Sequence, residues 1–185
     1  GGKWGYIDKT GKLVIDPQFD SADSFSEGLA NVEVSGKWGY IGKTGKLVID
    51  PQFDHASLFS EGLALVEVGG GKTRYIDKTG KFVINLWFDY AFAFSDGLAQ
   101  VEIDRKNGFI DKSGTFVLEP QFDYASPFSE GLANVMLGGK WGYVKSDGRF
   151  VIEPQFEDAG FFNEGLAPVK VGKKWGYIKN PLESR

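Results

Sequence analysis

Glycine-lysine-threonine stands twice in the chain, at Gly42-Lys43-Thr44 and at Gly71-Lys72-Thr73. That triplet cradles phosphate when it closes a glycine-rich loop at the start of a helix. The loop needs another glycine five residues upstream, where Lys37 and Val66 stand. Both triplets also fall between short apolar runs of strand character, so a nucleotide site is rejected. Carboxylates recur as Asp16, Asp20 and Glu27, then as Asp50, Asp54 and Glu61. Glycoside hydrolysis needs one pair at a set separation across one bond, whereas these acids return with every repeat. They read as turn formers and as partners for nearby donors. Calcium would suit oxygen ligands on loops, but no Asp-x-Asp-x-Asp-Gly loop is present. His55 is the single histidine and cysteine is absent, so a catalytic triad and an ordinary zinc site both lack parts. The expectation is a protein that is not an enzyme, with no catalytic residue, no metal and no cofactor.

The bulk numbers narrow the partners. A net charge of −4 with acids and bases interspersed offers no basic stripe for nucleic-acid phosphates. No run approaches the roughly 20 apolar residues of a spanning helix, so membrane insertion is not expected. Absence of cysteine fits any redox compartment. Location is therefore unknown from the sequence, and an exported or cell-envelope setting stays open.

What positions these residues is a repeat. Phe-Ser-Glu-Gly-Leu-Ala at 25–30 returns at 59–64 and 128–133, with close variants at 94–99 and 162–167. Pro-Gln-Phe at 17–19, 51–53, 120–122 and 154–156 keeps the same beat, as does Lys-Trp-Gly-Tyr at 3–6, 37–40, 140–143 and 174–177. A step of about 34 residues also suits helical pairs. The frequent glycines, the prolines and the short Val/Ile/Tyr/Phe runs argue for strands instead. In the first repeat, Lys3–Asp8 is expected to be a strand, followed by a tight turn at Gly11 and a second strand, Lys12–Asp16, ended by Pro17. A crossover with one helical turn over Ser21–Glu27, stopped by Gly28, leads to a third strand, Leu29–Val34. Ser35-Gly36 then makes a two-residue hairpin into the next repeat. The fold class expected is all-β: a tandem array of antiparallel three-stranded units, open, twisted and solenoid-like. A closed propeller-like ring is the alternative. The glycine after the tryptophan of Lys-Trp-Gly-Tyr removes a side chain where a neighbouring backbone could approach closely.

Lys-Trp-Gly-Tyr, the turn glycine, Pro-Gln-Phe and Glu-Gly-Leu-Ala, recurring in fixed order, resemble the bacterial WG (KWG) repeat over the whole chain. The resemblance implies one tandem β domain over 1–185. Its repeats are near 2–35, 36–70, 71–104, 105–138 and 139–172, followed by a terminal strand at 173–179. It also implies a scaffold for protein–protein interaction, with no catalytic residues to carry over. The third repeat departs from the pattern, with Thr73-Arg74 for Trp-Gly and Leu86-Trp87 for Pro-Gln; the fourth has Asn107 for Trp.

Function is therefore expected to lie in binding, to a protein not identified by the sequence. A glycan held on exposed aromatic residues such as Tyr90, Tyr124 and Phe161 is the alternative. Trp87 either fills space vacated at Thr73 or forms an exposed platform with Arg74, Tyr90 and Phe92, offering a hot spot. Two variable positions are expected to mark the binding face. One runs Asn31, Leu65, Gln100, Asn134, Pro168; the other runs Ser21, His55, Tyr90, Tyr124, Asp158. The candidate contact residues are Arg74, Trp87, Tyr90, Phe92, Tyr124 and His55.

Overall fold

Pairs of left-handed residues punctuate the chain and make its hairpins. Ser35 and Gly36 have φ of 53° and 77°, and Gly138 and Gly139 have 60° and 75°, the mirror-image turn that matches strand twist. The computed structural model describes residues 2–183 and falls into two compact units, Gly1–Trp87 and Phe88–Arg185.

The first unit holds β1 (Trp4–Ile7), β2 (Leu13–Phe19), β3 (Ser21–Ala22), β4 (Leu29–Val34), β5 (Lys37–Gly42), β6 (Leu47–Phe53), β7 (His55–Ala56), β8 (Ala64–Val68) and β9 (Lys72–Ile76). The second holds β10 (Tyr90–Ala91), β11 (Leu98–Ile103), β12 (Lys106–Asp111), β13 (Phe116–Phe122), β14 (Tyr124–Ala125) and β15 (Leu132–Leu137). It continues with β16 (Lys140–Lys145), β17 (Phe150–Phe156), β18 (Asp158–Ala159), β19 (Leu166–Val171) and β20 (Lys174–Lys179). All pairings are antiparallel, and the complete sheets have four strands: β3-β4-β5-β6, β10-β11-β12-β13 and β14-β15-β16-β17.

This corrects the three-stranded unit. A sheet takes its third and fourth strands from the following sequence repeat, and its first is a two-residue strand too short to show periodicity. The expected helical turn over Ser21–Glu27 is also replaced. Ser21–Ala22 pairs with β4, and Ser26 and Leu29 exchange backbone hydrogen bonds of 2.8 and 3.0 Å. Glu27 and Gly28, at φ 50° and 91°, form a tight hairpin turn there.

Nor does Pro17 end the second strand. In the complete sheets the corresponding strand runs through its proline to Phe. Its register on the Trp-Gly-Tyr strand shifts from Trp38↔Phe53 to Tyr40↔Ile49 and then Ile41↔Leu47. The extra residues form a bulge holding Pro51 on an edge strand, where the missing N–H costs no ladder bond. The bulge lies against Gly39. A β-carbon there would sit 2.5 Å from the Ile49 carbonyl oxygen and 2.7 Å from the Pro51 nitrogen, and Gly5, Gly108 and Gly142 stand in the same relation to their partner strands. The backbone approach expected beside the tryptophan is thus the Pro-Gln-Phe strand itself.

Both faces of a sheet are buried. In the first unit, Ala30, Val32 and Ile41 pack with Ile15 and Phe19, while Tyr40, Ile49 and Phe53 pack with Ala56, Phe59, Val66 and Ile76. The second unit repeats this with Tyr143, Phe156, Phe162 and Val169 in one cluster and Phe109, Phe122, Val135 and Val144 in another. The ring of Tyr40 meets Phe59 at 4.8 Å, and Tyr143 meets Phe162 at 4.8 Å. Phe of the Phe-Ser-Glu-Gly run is therefore the partner of the preceding Trp-Gly-Tyr tyrosine.

Candidate interaction surface

Of the recurring acids, Asp20, Asp54 and Glu27 are engaged in structure. Asp54 accepts from Lys37 Nζ at 2.5 Å and from the Gly69 amide at 2.6 Å. Those donors, the lysine foremost, hold its carboxyl below the ordinary carboxylate range. Asp20 and Asp123 lie low for the same reason, beside Lys3 and Lys106. Glu27 joins neighbouring sheets: its Oε2 accepts from the Gly62 amide at 3.0 Å and pairs with Lys78 at 3.1 Å. Glu130 accepts likewise from the Gly165 amide. Among the described residues no cluster of His, Asp or Glu could hold a metal ion.

The first variable position is interior. Asn31 is wholly buried, and Gln100 and Asn134 nearly so. Asn31 Nδ2 donates to Asp23 Oδ2 at 2.6 Å and to the Ala56 carbonyl at 2.9 Å; Asn134 Nδ2 donates to the Ala159 carbonyl at 2.9 Å. Gln100 Nε2 donates 2.7 Å to Oδ1 of Asn107, so the loss of tryptophan at 107 and the change at 100 form one coupled exchange. At 31, 100 and 134 the variation tracks packing and not a binding face, while Leu65 and Pro168 are half-buried.

The second variable position is outward. His55, Tyr90 and Tyr124 are exposed, each leaning on a ring: His55 on Trp38 at 5.6 Å, Tyr90 on Phe92 at 5.1 Å, Tyr124 on Trp141 at 5.3 Å. Phe161 is exposed as well.

The irregular third repeat changes its edge. Arg74 occupies the glycine position of β9, and no full strand follows; only Ile76↔Phe82 bridges, with the Val83 amide bonded to the Tyr75 carbonyl at 3.1 Å. A side chain at 74 occupies the place where the bulge would lie. The guanidinium instead sits 4.0 Å from the Phe82 ring centre and 4.7 Å from that of Trp87, cation–π contacts worth about 0.5–1 kcal/mol each at such a half-open site. Its Nη2 reaches the Ile84 carbonyl and Asn85 Oδ1 at 3.4 Å, while Nε is buried without a partner. Trp87 remains 48% exposed. Within the first unit the structure thus brings Arg74 and Trp87 together and leaves His55 with Trp38; within the second it joins Tyr90 to Phe92 and seats Tyr124 on Trp141. Sequence reasoning missed Trp175 and Tyr177 of β20, at 57% and 74% exposure. The signal was local: after Ile178 the chain reads Lys-Asn-Pro-Leu, without the turn glycine that stands four residues after the corresponding Ile7 and Ile41.

The family model for the WG containing repeat matches residues 4–38, 38–71, 74–106, 108–141 and 141–175. The chain belongs to the WG-repeat family. No curated protein matches it. Among solved structures, the WG-repeat chain is similar to BamB from Moraxella catarrhalis, with 12% identity and a TM-score of 0.55 over 95% of this chain and 63% of that one. Hsv2 of Kluyveromyces lactis, with its loop 6CD replaced by a Gly-Ser linker, gives 8% identity and 0.51 over 86% and 64%. The chain spans just under two thirds of each. Both neighbours are closed β-propellers, and this overturns the open, twisted, solenoid-like array. The WG-repeat sheets are built as propeller blades, four antiparallel strands packed face to face. The reading from repeat length failed because a 34-residue repeat makes a full blade once the crossover supplies a strand.

Proposed function

We propose that this WG-repeat domain is a non-enzymatic scaffold that binds a protein partner through exposed aromatic and arginine side chains. Arg74 and Trp87, with His55, form the contact residues of the first unit; Tyr90, Phe92 and Tyr124 form those of the second. The half-exposed Trp87 ring fixed over Arg74 carries the reading. Trp, Tyr and Arg dominate protein-binding hot spots, and a ring held in place by its neighbour loses little freedom on binding. The setting proposed is exported or at the cell envelope, which fractionation of the native organism tests.

The test combines affinity capture from the native organism with a glycan array, for the wild type and for Trp87→Ala and Tyr124→Ala. A captured protein lost from the variants, with melting unchanged, supports the proposal. Capture of the same protein by both variants overturns the residue assignment, and saccharide binding without a protein partner replaces the proposal with a glycan-binding module.

A further inference from the structure

Gly42-Lys43-Thr44 opens no nucleotide loop, but its turn lacks a group that the other repeats supply. The chain makes the same five-residue turn at 8–12, 42–46, 77–81, 111–115 and 145–149. In each, the first amide donates to the fifth carbonyl at 2.9–3.0 Å and the fourth residue, a glycine, donates to the first carbonyl at 2.9–3.0 Å. Those glycines share φ of 80–85°. With one backbone path in all five, the free donors of each turn converge on the same point.

In four of the turns a carboxylate stands at that point. Asp8 Oδ1 accepts from the Thr10 amide at 2.8 Å, the Thr10 hydroxyl at 2.6 Å and the Lys12 amide at 3.1 Å. Asp77 and Asp111 repeat all three contacts. In the fifth turn Lys145 comes first, and Asp147 Oδ1 takes the Arg149 amide at 3.1 Å instead. The donors, the hydroxyl foremost, hold the Asp8, Asp77 and Asp111 carboxyls below the ordinary carboxylate range, so the point favours negative charge.

The 42–46 turn has Gly42 in the aspartate's place. Its Thr44 amide, Thr44 hydroxyl and Lys46 amide have no partner among the described residues. Backbone strain does not demand this glycine. Gly42 lies outside the left-handed region, and a β-carbon there would meet a single neighbour, Val48 Cγ2, at an ordinary 3.6 Å. Charge adds to the vacancy of acceptors. Lys43 and Lys46 are exposed and pair with no acid among the described residues, whereas the 8–12 and 77–81 turns each set an aspartate against their two lysines. The turn borders a groove lined by Phe19, Val34 and Leu47, so the point is reached from solvent.

We propose that the 42–46 turn is a carboxylate-binding site, in which one ligand oxygen takes the position that an aspartate Oδ1 holds in the sister turns. Two backbone amides and a hydroxyl form the anion-binding concavity, and the charge-assisted bonds are strengthened by Lys43 and Lys46. The carboxylate comes from a free small acid or from an acidic side chain of a polypeptide. The site shares no residue with the surface proposed above, and neither needs the other.

The experiment follows amide NMR of the whole chain at fixed ionic strength, titrated with sodium acetate, with the blocked peptide acetyl-Leu-Asp-Leu-amide and with sodium chloride. Saturable shifts are expected at the Thr44 and Lys46 amides with the carboxylates and not with chloride, moving toward the positions these amides take in Gly42→Asp. Peptide binding at least about tenfold tighter than acetate assigns the site to a polypeptide's acid, and equal binding assigns it to a small one; either supports the proposal. Gly42→Asp is expected to melt no lower than the wild type and to lose the response, because it fills the point from within. Gly42→Ala, which adds a β-carbon without a carboxylate, is expected to keep it. No saturable shift up to about 100 mM, the same response in Gly42→Asp as in the wild type, or its loss in Gly42→Ala overturns the proposal.

Discussion

Replacing Gly39 with alanine adds one carbon at the point where the third and fourth strands of a blade touch. That carbon falls 2.5 Å from the Ile49 carbonyl oxygen, 2.7 Å from the Pro51 nitrogen and 2.9 Å from the Asp50 carbonyl carbon. Real β-carbons essentially never approach within 3.0 Å, so the facing strand must retreat by about 0.5 Å or more. All three contacts are backbone, and no rotamer change relieves them. Overpacking a core costs about 1–3 kcal/mol; with backbone on both sides the upper value, about 3 kcal/mol, applies. For a chain of 185 residues each kcal/mol lowers Tm by about 2–4 °C, which gives a fall of about 6–12 °C by calorimetry. Gly176→Ala is the internal control. It makes the same change in the same sequence context with nothing within 4 Å, and alanine's smaller unfolded-state entropy favours it by up to about 1 kcal/mol. A Gly39→Ala protein melting within about 2 °C of the wild type would refute the reasoning, as would an equal loss in Gly176→Ala.

Three further outcomes are expected. Asn31→Ala leaves the buried Ala56 carbonyl without its donor and costs about 1–3 kcal/mol, read from denaturant midpoints; an unchanged midpoint contradicts the buried role. Asp20, Asp54, Asp123 and Glu27 are held below their ordinary values of 3.8 and 4.5 by lysine and amide donors. Their stabilisation is complete above those values and is lost as pH falls below them. Tm is thus level above about pH 5 and drops on further acidification, and a profile that rises toward acid would oppose this assignment. Trp87→Ala separates support from display: a large fall in Tm means the indole props the third repeat, whereas unchanged melting with lost partner binding means it is a contact residue.

The long strands and hairpins were legible because their glycines and alternating residues sit in exposed turns and two-sided strands, where local chemistry decides. Gly36 and Gly139 could be placed by type alone. β3 and its sister strands were not legible: two residues carry no period, and the serine-rich stretch before Gly28 suits a helical turn as well as a left-handed hairpin. The blade stayed hidden with it. Burial misled in two places. Asn31, Gln100 and Asn134 stood at a variable position and looked like surface, yet Asn31 and Asn134 reach equivalent alanine carbonyls inside and Gln100 reaches Asn107. In the middle blades the tryptophans lie at the margin, with Trp38 and Trp141 half-buried, while the tyrosine two residues later is the core ring. Of the candidate contact residues, the outward position of His55, Tyr90 and Tyr124 could be inferred from chain order. The grouping of Arg74 with Trp87 was read from the departures of the third repeat; the part of Phe82 in their stack was not, because it follows from the loss of a strand.

That loss is also the sharpest test. If glycine and the Pro-Gln bulge are one coupled device, Arg74→Gly with Leu86→Pro and Trp87→Gln should recreate the missing fourth strand of the third repeat. Amide hydrogen exchange over residues 82–88 should then show a protected, paired strand in the triple variant, but not in Leu86→Pro/Trp87→Gln with Arg74 retained. Protection in the double variant, or none in the triple, would contradict the account.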